Sequence, residues 1–421
     1  MIKRLCFVVK HSFFIVSSPN LTLTTVTDII PVLNLERKLD CIMVITIVTD
    51  VLGAENNGTT ITAKRLIENL KKRGHVVKVV SPWETDEPGY YGVGKRNFGI
   101  FNKYVAKNGV VLAKVNKKIL REAMTGSDVV HIILPFQLGI AAEKIAKELN
   151  IPTTSGFHCQ AENVTTHFGL QNIEFINHFI YRRFYRKFYK HQKFVHCPSQ
   201  FIAKELRKNG YGMDLRVISN GVVEDFHQKD VLKPQGLEDK YIILTIGRLA
   251  HEKRHDILIE AIKLSKHEKD IQLIIAGLGP LEKQTRQWGE SLINRPIIGF
   301  YFKKDLVDII NYADLYVHPA DIEIESIACI EVITCGLVPI ISDSRKSAAN
   351  SFALLEENLF KAGNALDLAK KIDYFIDHPE IKQSFQKKYF DYAKPFQINV
   401  CVDKMEKMFN DAIAKHNSET A

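Results

Sequence analysis

The sequence contains few of the features that mark secreted, metal-binding or membrane-spanning proteins. Its seven cysteines are an odd number, with no Cys-x-x-Cys pair and no histidine and cysteine spacing that suits zinc. The apolar run near the N-terminus is too short and too interrupted to cross a bilayer. No short tandem repeat is present. We therefore expect reduced thiols, no metal site and a cytoplasmic protein.

The composition is that of an ordinary globular protein, in a chain longer than one hydrophobic core usually organises. Apolar residues make up 46% and charged residues 25% of the 421 positions. This length predicts two domains. The formal net charge of +9 favours anionic partners, such as phosphate-bearing ligands, nucleic acid or acidic lipid headgroups, and does not choose among them.

Residues 1–42 differ from the rest of the chain. A basic start and an apolar middle resemble a signal peptide, but Lys10 and His11 interrupt the apolar run and no clear cleavage site follows. We interpret 1–42 as an N-terminal extension outside the fold, with a misassigned start as one explanation. The alternative is a membrane-targeting leader.

From Met43 onwards, apolar strands alternate with amphipathic helices, which predicts parallel sheets built from βαβ units. We expect one Rossmann-like domain at 43–225 and a second at 240–395. Between them, 226–239 has the mixed charges, proline and glycine of a linker. The last segment, 396–421, is predicted to be a helix that packs back toward the first domain. The fold class is therefore α/β, with two doubly wound domains facing a central cleft, where such sheets bind ligands.

Two cations follow the first strand of the second predicted domain. In IGRLAHEKRHDILIEA, Arg248 and Lys253 stand between that strand and the next helix. Arginine offers a planar fork, lysine a point charge and the helix N-terminus a favourable dipole, so a phosphate or diphosphate is the natural ligand. The alternative is a pair of solvated loop charges. We interpret Gly277 and Gly279, in AGLGPLEK, as residues that a short strand-to-helix turn requires.

Two carboxylates, Glu323 and Glu331, stand in DIEIESIACIEVITCGLVPIIS, which otherwise has the pattern of a buried helix and strand. Buried carboxylates are costly unless something pairs with them. The pattern predicts a helical segment over Glu323 to Gly336, in which Glu323 precedes the part that Ser326 could cap and faces the cleft. Gly336 closes the helix, and Glu331 lies about two turns inside. Glu323 could instead be a surface partner of the helix dipole. The apolar neighbours of Glu331 leave it no comparable explanation.

These motifs occur in the order and at the separations of a known family. GRLAHEKRHDILIEA, AGLGPLEK and the Glu-x7-Glu spacing resemble the retaining, GT-B-fold glycosyltransferases of family four. The N-terminal NNGTTITAKRLIENLKKRGHVVKVVSP is similar to that family's first loop and helix, so the resemblance covers nearly the whole chain from Met43. It implies a GT-B fold, in which the first domain takes the acceptor and the second a nucleotide-sugar donor.

The resemblance also implies roles for the two carboxylates. Glu323 would contact the hydroxyl groups of the transferred sugar and Glu331 the nucleotide ribose, which agrees with the ability of carboxylates to accept hydrogen bonds from hydroxyls. The sequence departs from the family at 324–326, where Ile-Glu-Ser replaces the usual glycines. This change argues against close contact between that backbone and the donor diphosphate. The helix N-terminus at Ser326 remains available to bind it.

Other site positions follow from the same resemblance. His158, after a strand of the first domain, would lie in the cleft near the reacting sugar, although a lone histidine is more often structural. Asn57 and Gly58, in the loop after the first strand, would approach the donor phosphate or the acceptor. Gly299 and Phe300 would contact the nucleotide base.

The implied reaction transfers a hexose with retention, on one face of the sugar, and the leaving diphosphate assists the incoming hydroxyl. Arg248 and Lys253 would stabilise the charge that grows on the diphosphate. We therefore expect no metal and no cofactor beyond the nucleotide-sugar, with a UDP-sugar favoured. The sequence agrees, because it has no Asp-x-Asp-like motif near the site.

Two basic stretches bear on the acceptor. Phe179–Phe194 interleaves arginine and lysine with tyrosine and phenylalanine, and Lys103–Met124 is a second basic, amphipathic segment. Helices of this kind adsorb on anionic membranes. The chain also resembles diacylglycerol glucosyltransferases in outline. We therefore expect a peripheral enzyme on the inner face of the cell membrane, acting on a lipid such as diacylglycerol.

Three alternatives stay open. The aromatic side chains of these stretches could belong to the core, with the cations on a solvated face. The enzyme could be soluble, with a small-molecule or glycan acceptor. The protein could also bind single-stranded nucleic acid on a degenerate transferase scaffold. We expect no nucleic acid, because a pure binding protein has no need for a cation pair and a carboxylate pair at one cleft.

Overall fold

The computed structural model describes residues 6–9, 12–15, 42–52, 58–97, 99 and 112–421, with the backbone alone for the first two ranges. The chain divides into two compact units, Met1–Met43 and Val44–Ala421. In the first unit, β1 (Cys6–Val9) pairs in antiparallel fashion with β2 (Ser12–Ile15). Most of the predicted extension lies outside the described residues.

The second unit contains two parallel sheets. The described strands of the first sheet are β3 (Val44–Val48), β4 (Val76–Ser81), β5 (Tyr90–Gly92), β6 (Val129–Ile132), β7 (Thr153–Gly156), β8 (Phe194–Cys197) and β9 (Asp214–Val217). Their order across the sheet is β5-β4-β3-β6-β7-β8-β9. In the register, Ile45 of β3 lies opposite Val77 on one side and Val129 on the other. The central strands are β-branched and buried, as a parallel sheet covered by helices requires.

Helices cover both faces of this sheet. They are α1 (Gly58–Lys72), α2 (Lys117–Met124), α3 (Gln137–Glu148), α4 (Ala161–Thr165), α5 (Glu174–Lys187) and α6 (Gln200–Lys208). In α1, Leu66, Ile67 and Leu70 form the buried stripe that the periodicity predicts. The chain turns after α1 at Gly74, whose positive φ of 92° favours glycine.

The second sheet has the strand order of a dinucleotide-binding fold. Its described strands are β10 (Tyr241–Ile246), β11 (Ile271–Ala276), β12 (Ile297–Gly299), β13 (Leu315–His318), β14 (Pro339–Ser342) and β15 (Leu359–Phe360). Their order is β12-β11-β10-β13-β14-β15, so the direction of winding reverses between β10 and β13. A crevice opens at the carboxyl ends of these two strands. The predicted α/β class with two Rossmann-like domains is confirmed.

Helices also surround the second sheet. They are α7 (His255–Leu264), α8 (Glu282–Gly289), α9 (Lys303–Tyr312), α10 (Ile327–Thr334), α11 (Ala365–Asp377) and α12 (Pro379–Ala393). The largest hydrophobic core of the described chain lies between these helices and their sheet, and a second core lies in the first domain.

The chain crosses between the two domains twice. Residues 226–239, all described, contain no helix or strand. The last helix, α13 (Ile398–Thr420), lies on the first domain, where Glu406 accepts hydrogen bonds from Arg73 at 2.8 Å and His75 at 2.9 Å. These contacts hold the C-terminal end of the chain against the first sheet. The exact limits of the domains stay predictions.

Two basic stretches differ from their predicted form. The helix predicted at Phe179–Phe194 is α5, which begins at Glu174 and ends at Lys187, and Phe194 opens β8. The helix ends because the chain turns at Phe188 to bury aromatic side chains in the domain core. Part of Lys103–Met124 lies outside the described residues. Within the described part, the helix is Lys117–Met124. Within the described chain, no helix is both long and apolar enough to cross a membrane.

The helix predicted from Glu323 to Gly336 is shorter as well. It is α10, which begins only at Ile327, because Glu323 bridges to Ser347 in the loop after β14 and Ser326 has a left-handed backbone. The Ala348 N–H donates to the Glu323 carbonyl at 2.8 Å in this bridge. Glu331 therefore lies little more than one turn inside the helix, and the expected depth of two turns was wrong.

Candidate active site

Two loops meet at the carboxyl ends of β10 and β13. After β10, a 3-10 turn at His251–Lys253 sets the position of Lys253. After β13, the chain bends at Asp321 and reaches Glu323, which forms an isolated bridge with Ser347. Lys253 Nζ donates a hydrogen bond to Glu323 Oε1, so the structure brings these two predicted site residues together. Both side chains are largely buried, and water screens their charges weakly.

Glu323 also contacts His318, at the end of β13. His318 Nε2 lies 3.1 Å from Glu323 Oε1, and Nδ1 lies 2.9 Å from the Tyr316 hydroxyl. Burial opposes ionisation of Glu323, but Lys253 and His318 outweigh it and lower the pKa of Glu323 to about 2. Burial also opposes the charged form of His318, yet its neighbours Cys329 and Glu323 raise the pKa of this imidazole to about 9. The site therefore holds an ionised carboxylate between two cations.

The loop after β10 also positions Arg248. Its guanidinium Nη2 donates to Glu252 Oε1 at 2.9 Å, so Arg248 is held on the same loop as Lys253. The predicted structural role of the two glycines after β11 is confirmed. A Cβ on Gly277 would lie 2.0 Å from the Gly247 carbonyl oxygen, and one on Gly279 would lie 2.4 Å from the Leu249 carbonyl oxygen. Only glycine lets these two turns approach so closely.

Two helices begin beside this crevice. Gly58, predicted to approach the donor or the acceptor, is the first residue of α1. A Cβ on Gly58 would lie 3.9 Å from Cδ1 of Ile327, the first residue of α10. Helix N-termini favour anions through free N–H groups and the helix dipole. The first residues of α1 and α10 therefore meet where a diphosphate would be favoured. Asn57, its predicted neighbour, lies outside the described residues.

Ser326 caps α10, as the sequence indicated. Its hydroxyl accepts a hydrogen bond from the Cys329 N–H at 3.4 Å and lies 3.2 Å from His318 Nε2. The Ser326 backbone has φ of 76°, a left-handed conformation that is unusual for any residue except glycine. Here the conformation persists because the serine hydroxyl is held on both sides.

The other two residues that replace family glycines contact the first domain. The Ile324 carbonyl accepts a hydrogen bond from Ser199 Oγ at 2.6 Å. The buried Glu325 carboxylate accepts from the Asn220 backbone N–H at 3.0 Å and from its side-chain amide at 2.6 Å. Burial raises the pKa of Glu325 to about 7 in spite of these hydrogen bonds. Sequence analysis missed this carboxylate, although it stands between two apolar residues, which was a signal of burial.

Glu331 has a partner in the other domain. Arg65 of α1 donates to Glu331 Oε1 through one guanidinium nitrogen and to the Gly221 carbonyl, at 2.9 Å, through another. Burial raises the pKa of Glu331 and outweighs the opposite effect of Arg65. The predicted ribose ligand is therefore also one half of a contact between the domains. No local pattern indicates this pair, because the two residues are 266 positions apart.

His158 is buried in the first domain. Its Nε2 has no hydrogen-bond partner among the residues that the structure describes. The ring lies 5.1 Å from that of His196, centroid to centroid. Burial and the neighbouring histidines hold the pKa of His158 well below its ordinary value, so its imidazole is neutral. Two residues on, Gln160 Nε2 donates to the Lys346 carbonyl of the second domain at 3.1 Å. His158 thus lies near the domain interface but does not contact Glu323.

Gly299 and Phe300 lie at the end of β12, two strands from β10. The Gly299 carbonyl accepts a hydrogen bond from the Gly277 N–H at 2.8 Å. Phe300 is half exposed, and its ring meets that of Phe302 edge to face at 5.5 Å. An exposed aromatic pair can stack on a planar ligand. These residues therefore flank the crevice on the β12 side.

The geometry suits one kind of ligand. A molecule that carries both an anionic diphosphate and sugar hydroxyls can contact Lys253 and Glu323 at once, with helix N-termini beside them. Fixed donors in a buried site stabilise developing negative charge more than water does. The arrangement is therefore able to support transfer of a sugar away from a diphosphate.

Comparison with known proteins agrees with this geometry. Residues 56–226 match the family model described as Glycosyltransferase Family 4, and residues 228–391 match the one described as Glycosyl transferases group 1. The two matches follow the two domains in order along the chain.

Two curated relatives align with much of the chain. The alpha-monoglucosyldiacylglycerol synthase of Streptococcus pneumoniae is 22% identical over 75% of this chain and 73% of its own length. The GDP-mannose-dependent alpha-mannosyltransferase of Corynebacterium glutamicum is 27% identical over 67% of this chain and 68% of its own length. Both are similar to this chain at low sequence identity.

Solved structures share the fold. HepE of Anabaena, in complex with UDP and glucose, superposes with a TM-score of 0.67 at 14% identity, over 88% of this chain and all of the other. At that identity the likeness concerns the fold alone. With matches to both family models in order, and a crevice suited to a nucleotide-sugar, the chain belongs to the group 1 glycosyltransferases of GT-B fold.

Proposed function

We propose that this glycosyltransferase moves a hexose, with UDP-glucose as the favoured donor, to a hydroxyl of a membrane lipid such as diacylglycerol, with retention of configuration. The observation that carries the proposal is the contact of Lys253 with Glu323 at the ends of β10 and β13. It places a cation that can bind phosphate beside an ionised carboxylate that can accept hydrogen bonds from sugar hydroxyls. The two relatives, both named for alpha products, support retention, because UDP-glucose itself carries an alpha-linked glucose.

The reaction divides among the residues of the crevice. The bond between the sugar's anomeric carbon and the diphosphate oxygen breaks, and a bond to the acceptor oxygen forms on the same face. The acceptor proton passes to the leaving diphosphate. Arg248, Lys253 and the N-termini of α1 and α10 stabilise the negative charge that develops there, and Glu323 holds the sugar by its hydroxyls. Side-chain cations supply this stabilisation, so the proposal needs no metal ion or cofactor.

A face of α5 supports a membrane acceptor. Phe175 and Phe179 project from it with 75% and 64% of their surfaces exposed. The exposed cations Arg182, Arg183, Arg186 and Lys187 continue along the same helix. Exposed phenylalanines next to a row of cations are poorly suited to water but well suited to an anionic lipid surface. We define this set of six side chains as the α5 face.

The function is tested by donor binding and product configuration. We expect UDP-glucose to raise the melting temperature, because a ligand that binds only the folded state stabilises it. Incubation with UDP-glucose and diacylglycerol vesicles should yield an alpha-glucoside, identified by proton NMR of the product. Binding of GDP-mannose without UDP-glucose would move the donor assignment toward a mannosyltransferase. A beta product would overturn retention.

The membrane part of the proposal has its own test. Changing Arg182, Arg183, Arg186 and Lys187 to Glu should release the protein from phosphatidylglycerol vesicles, since each cation contributes at most about 1 kcal/mol and four contribute a few. Salt should weaken binding of the parent protein in the same direction. UDP-glucose binding should not change. Sedimentation with vesicles measures the first two effects.

A matched control reverses four exposed lysines of the second domain, at positions 263, 283, 370 and 387. It changes the net charge equally but leaves the α5 face intact, so it should keep most vesicle binding. If both sets of substitutions reduce binding equally, only net charge matters. If the parent does not bind vesicles at all, a soluble acceptor becomes the better proposal.

A further inference from the structure

A second pocket opens on the sheet of the donor domain, away from the nucleotide side. It has a volume of about 470 Å³ and lies where the chain leaves β13, β14 and β15. Its charged lining residues are Arg254, Arg345, Lys346, Lys361, Asp321 and Asp343. Because carboxyl ends of strands are the usual ligand-binding edge of such a sheet, this pocket lies on the functional side of the domain. We name it the β14–β15 pocket.

The charges in this pocket are unequally paired. Arg254 is neutralised by Asp321, at 3.1 Å, and by Asp256 outside the pocket, at 3.0 Å. Asp343 accepts a hydrogen bond from a backbone N–H and meets no cation within ion-pair distance among the described residues. The other three cations therefore face one unpaired carboxylate, Asp343, and the net charge of the pocket lining is positive.

Those three cations lack carboxylate partners. The side chains of Arg345 and Lys361 form no ion pair or hydrogen bond with any residue that the structure describes, and Lys346 Nζ contacts only the neutral side-chain oxygen of Asn172. Cations that line one pocket and have no carboxylate in contact repel one another and attract anions. A phosphate group matches this set, since arginine offers it a fork and lysine a point charge.

The pocket lies on the acceptor side of the crevice. The Lys346 carbonyl accepts hydrogen bonds from the Glu323 N–H at 3.4 Å and from Gln160 of the first domain at 3.1 Å. Its ammonium group contacts Asn172, two residues before α5 begins. Lys346 therefore joins the sugar-binding carboxylate, the first domain and the start of the proposed membrane-binding helix.

Strand order separates this pocket from the nucleotide. The nucleotide base is expected at β12, two strands from β10 on one side, whereas β15 lies two strands from β13 on the other. Neighbouring strands are about 4.8 Å apart, so the two ends of the sheet are more than 20 Å apart. A donor whose base lies at β12 and whose sugar contacts Glu323, after β13, ends one strand before β14 and two strands before β15.

We propose that the β14–β15 pocket binds a phosphate group on the acceptor side, in addition to the donor diphosphate. This inference rests on the proposed function for its orientation, since α5 would place the pocket mouth near lipid headgroups. The phosphate belongs to a phospholipid headgroup or to a soluble phosphate compound, and both share the same chemistry. Arg345 and Lys361 are the residues that bind it, with Lys346 at the crevice edge.

The test uses the full chain with Arg345→Glu and Lys361→Glu combined, and inorganic phosphate as the probe. UDP is kept saturating so that phosphate does not enter the donor site. Calorimetry on the parent should detect phosphate binding, and the double variant should bind phosphate at least tenfold more weakly. Lys304→Glu combined with Lys387→Glu changes the net charge equally on exposed lysines elsewhere and should bind phosphate like the parent.

Two further arms identify the source of the phosphate and separate this inference from the proposed function. Vesicles of phosphatidylglycerol should compete with inorganic phosphate if a lipid supplies the group, whereas competition by glycerol phosphate alone assigns it to a soluble compound. UDP binding should be equal in all variants. If the parent does not bind UDP, that result counts against the proposed function. In that case, phosphate titration without UDP still compares the phosphate affinities of the parent and the variants. Equal phosphate affinity in the parent and the Arg345, Lys361 variant, or none in the parent, overturns the proposal.

Discussion

Lys253→Ala should reduce the turnover number by about two to three orders of magnitude, the range measured when one fixed donor to a developing oxyanion is removed. Lys253 is the cation that contacts Glu323, and in the proposed reaction it also stabilises the leaving diphosphate. The substitution therefore removes charge stabilisation and the alignment of the sugar-binding carboxylate together. Steady-state kinetics with UDP-glucose measure the effect, and we expect kcat to fall more than KM rises.

The fold should survive this change. His318 remains 3.1 Å from Glu323, and its raised pKa of about 9 keeps a positive charge beside the buried carboxylate at neutral pH. Circular dichroism should therefore show a cooperative melt for Lys253→Ala. Lys263→Ala, an exposed lysine of the same domain, is the control and should keep full activity. Normal turnover in both Lys253→Ala and Arg248→Ala would contradict the assigned diphosphate site.

Arg65→Ala should lower the free energy of unfolding by about 3–5 kcal/mol, because it leaves the buried Glu331 carboxylate without its cation. Only 11% of the Arg65 side chain and 8% of the Glu331 side chain are exposed. Urea unfolding followed by fluorescence or circular dichroism measures the loss. Arg121→Ala breaks an ion pair with Glu148 that is half exposed on both sides, and should cost less than about 1 kcal/mol. If Arg65→Ala and Arg121→Ala lower the free energy of unfolding equally, the buried ion pair between Arg65 and Glu331 is no more stabilising than an exposed one.

A double variant separates the structural role of Glu331 from its predicted role toward the ribose. Replacing a buried ion pair with apolar side chains of similar volume is often neutral for stability. Arg65→Met with Glu331→Leu should therefore recover most of the stability that Arg65→Ala loses, yet bind UDP more weakly than the parent. Calorimetric titration of UDP measures the second effect. If this double variant binds UDP as tightly as the parent, Glu331 does not contribute to ribose binding and serves only in the contact between the domains.

The local pattern of the sequence determined most of the strands and the class of the fold. Runs such as VITIV and YIILTI are short, β-branched and apolar, and they become central strands because only a sheet covered on both faces can bury them. The positions of Arg248 and Lys253 after such a strand predicted an anion site, since the carboxyl ends of parallel strands share one edge. The role of Glu323 toward a sugar was implied by the resemblance to a family. Hydrophobic periodicity is a local property, and it predicts local structure.

Element ends were harder to predict than element centres. Helix α5 was predicted too far along the chain and the helix after Glu323 too long, because both ends depend on which aromatic or loop residues the tertiary structure buries. Short edge strands such as β12 and β15 were also missed. Their few residues carry no periodicity of their own and become strands only by pairing with a neighbour.

Only the tertiary structure decided which charges meet. Arg65 and Glu331 are brought together by the docking of two domains, and so are Asn220 and the unexpected buried Glu325. Desolvation makes each such pairing strong, yet burial is a property of the assembled core and not of neighbours in sequence. The sequence by itself therefore determined two parallel sheets and the residue types at their crevice. The folded chain decided that Glu325 and Glu331 meet their hydrogen-bond partners in the other domain.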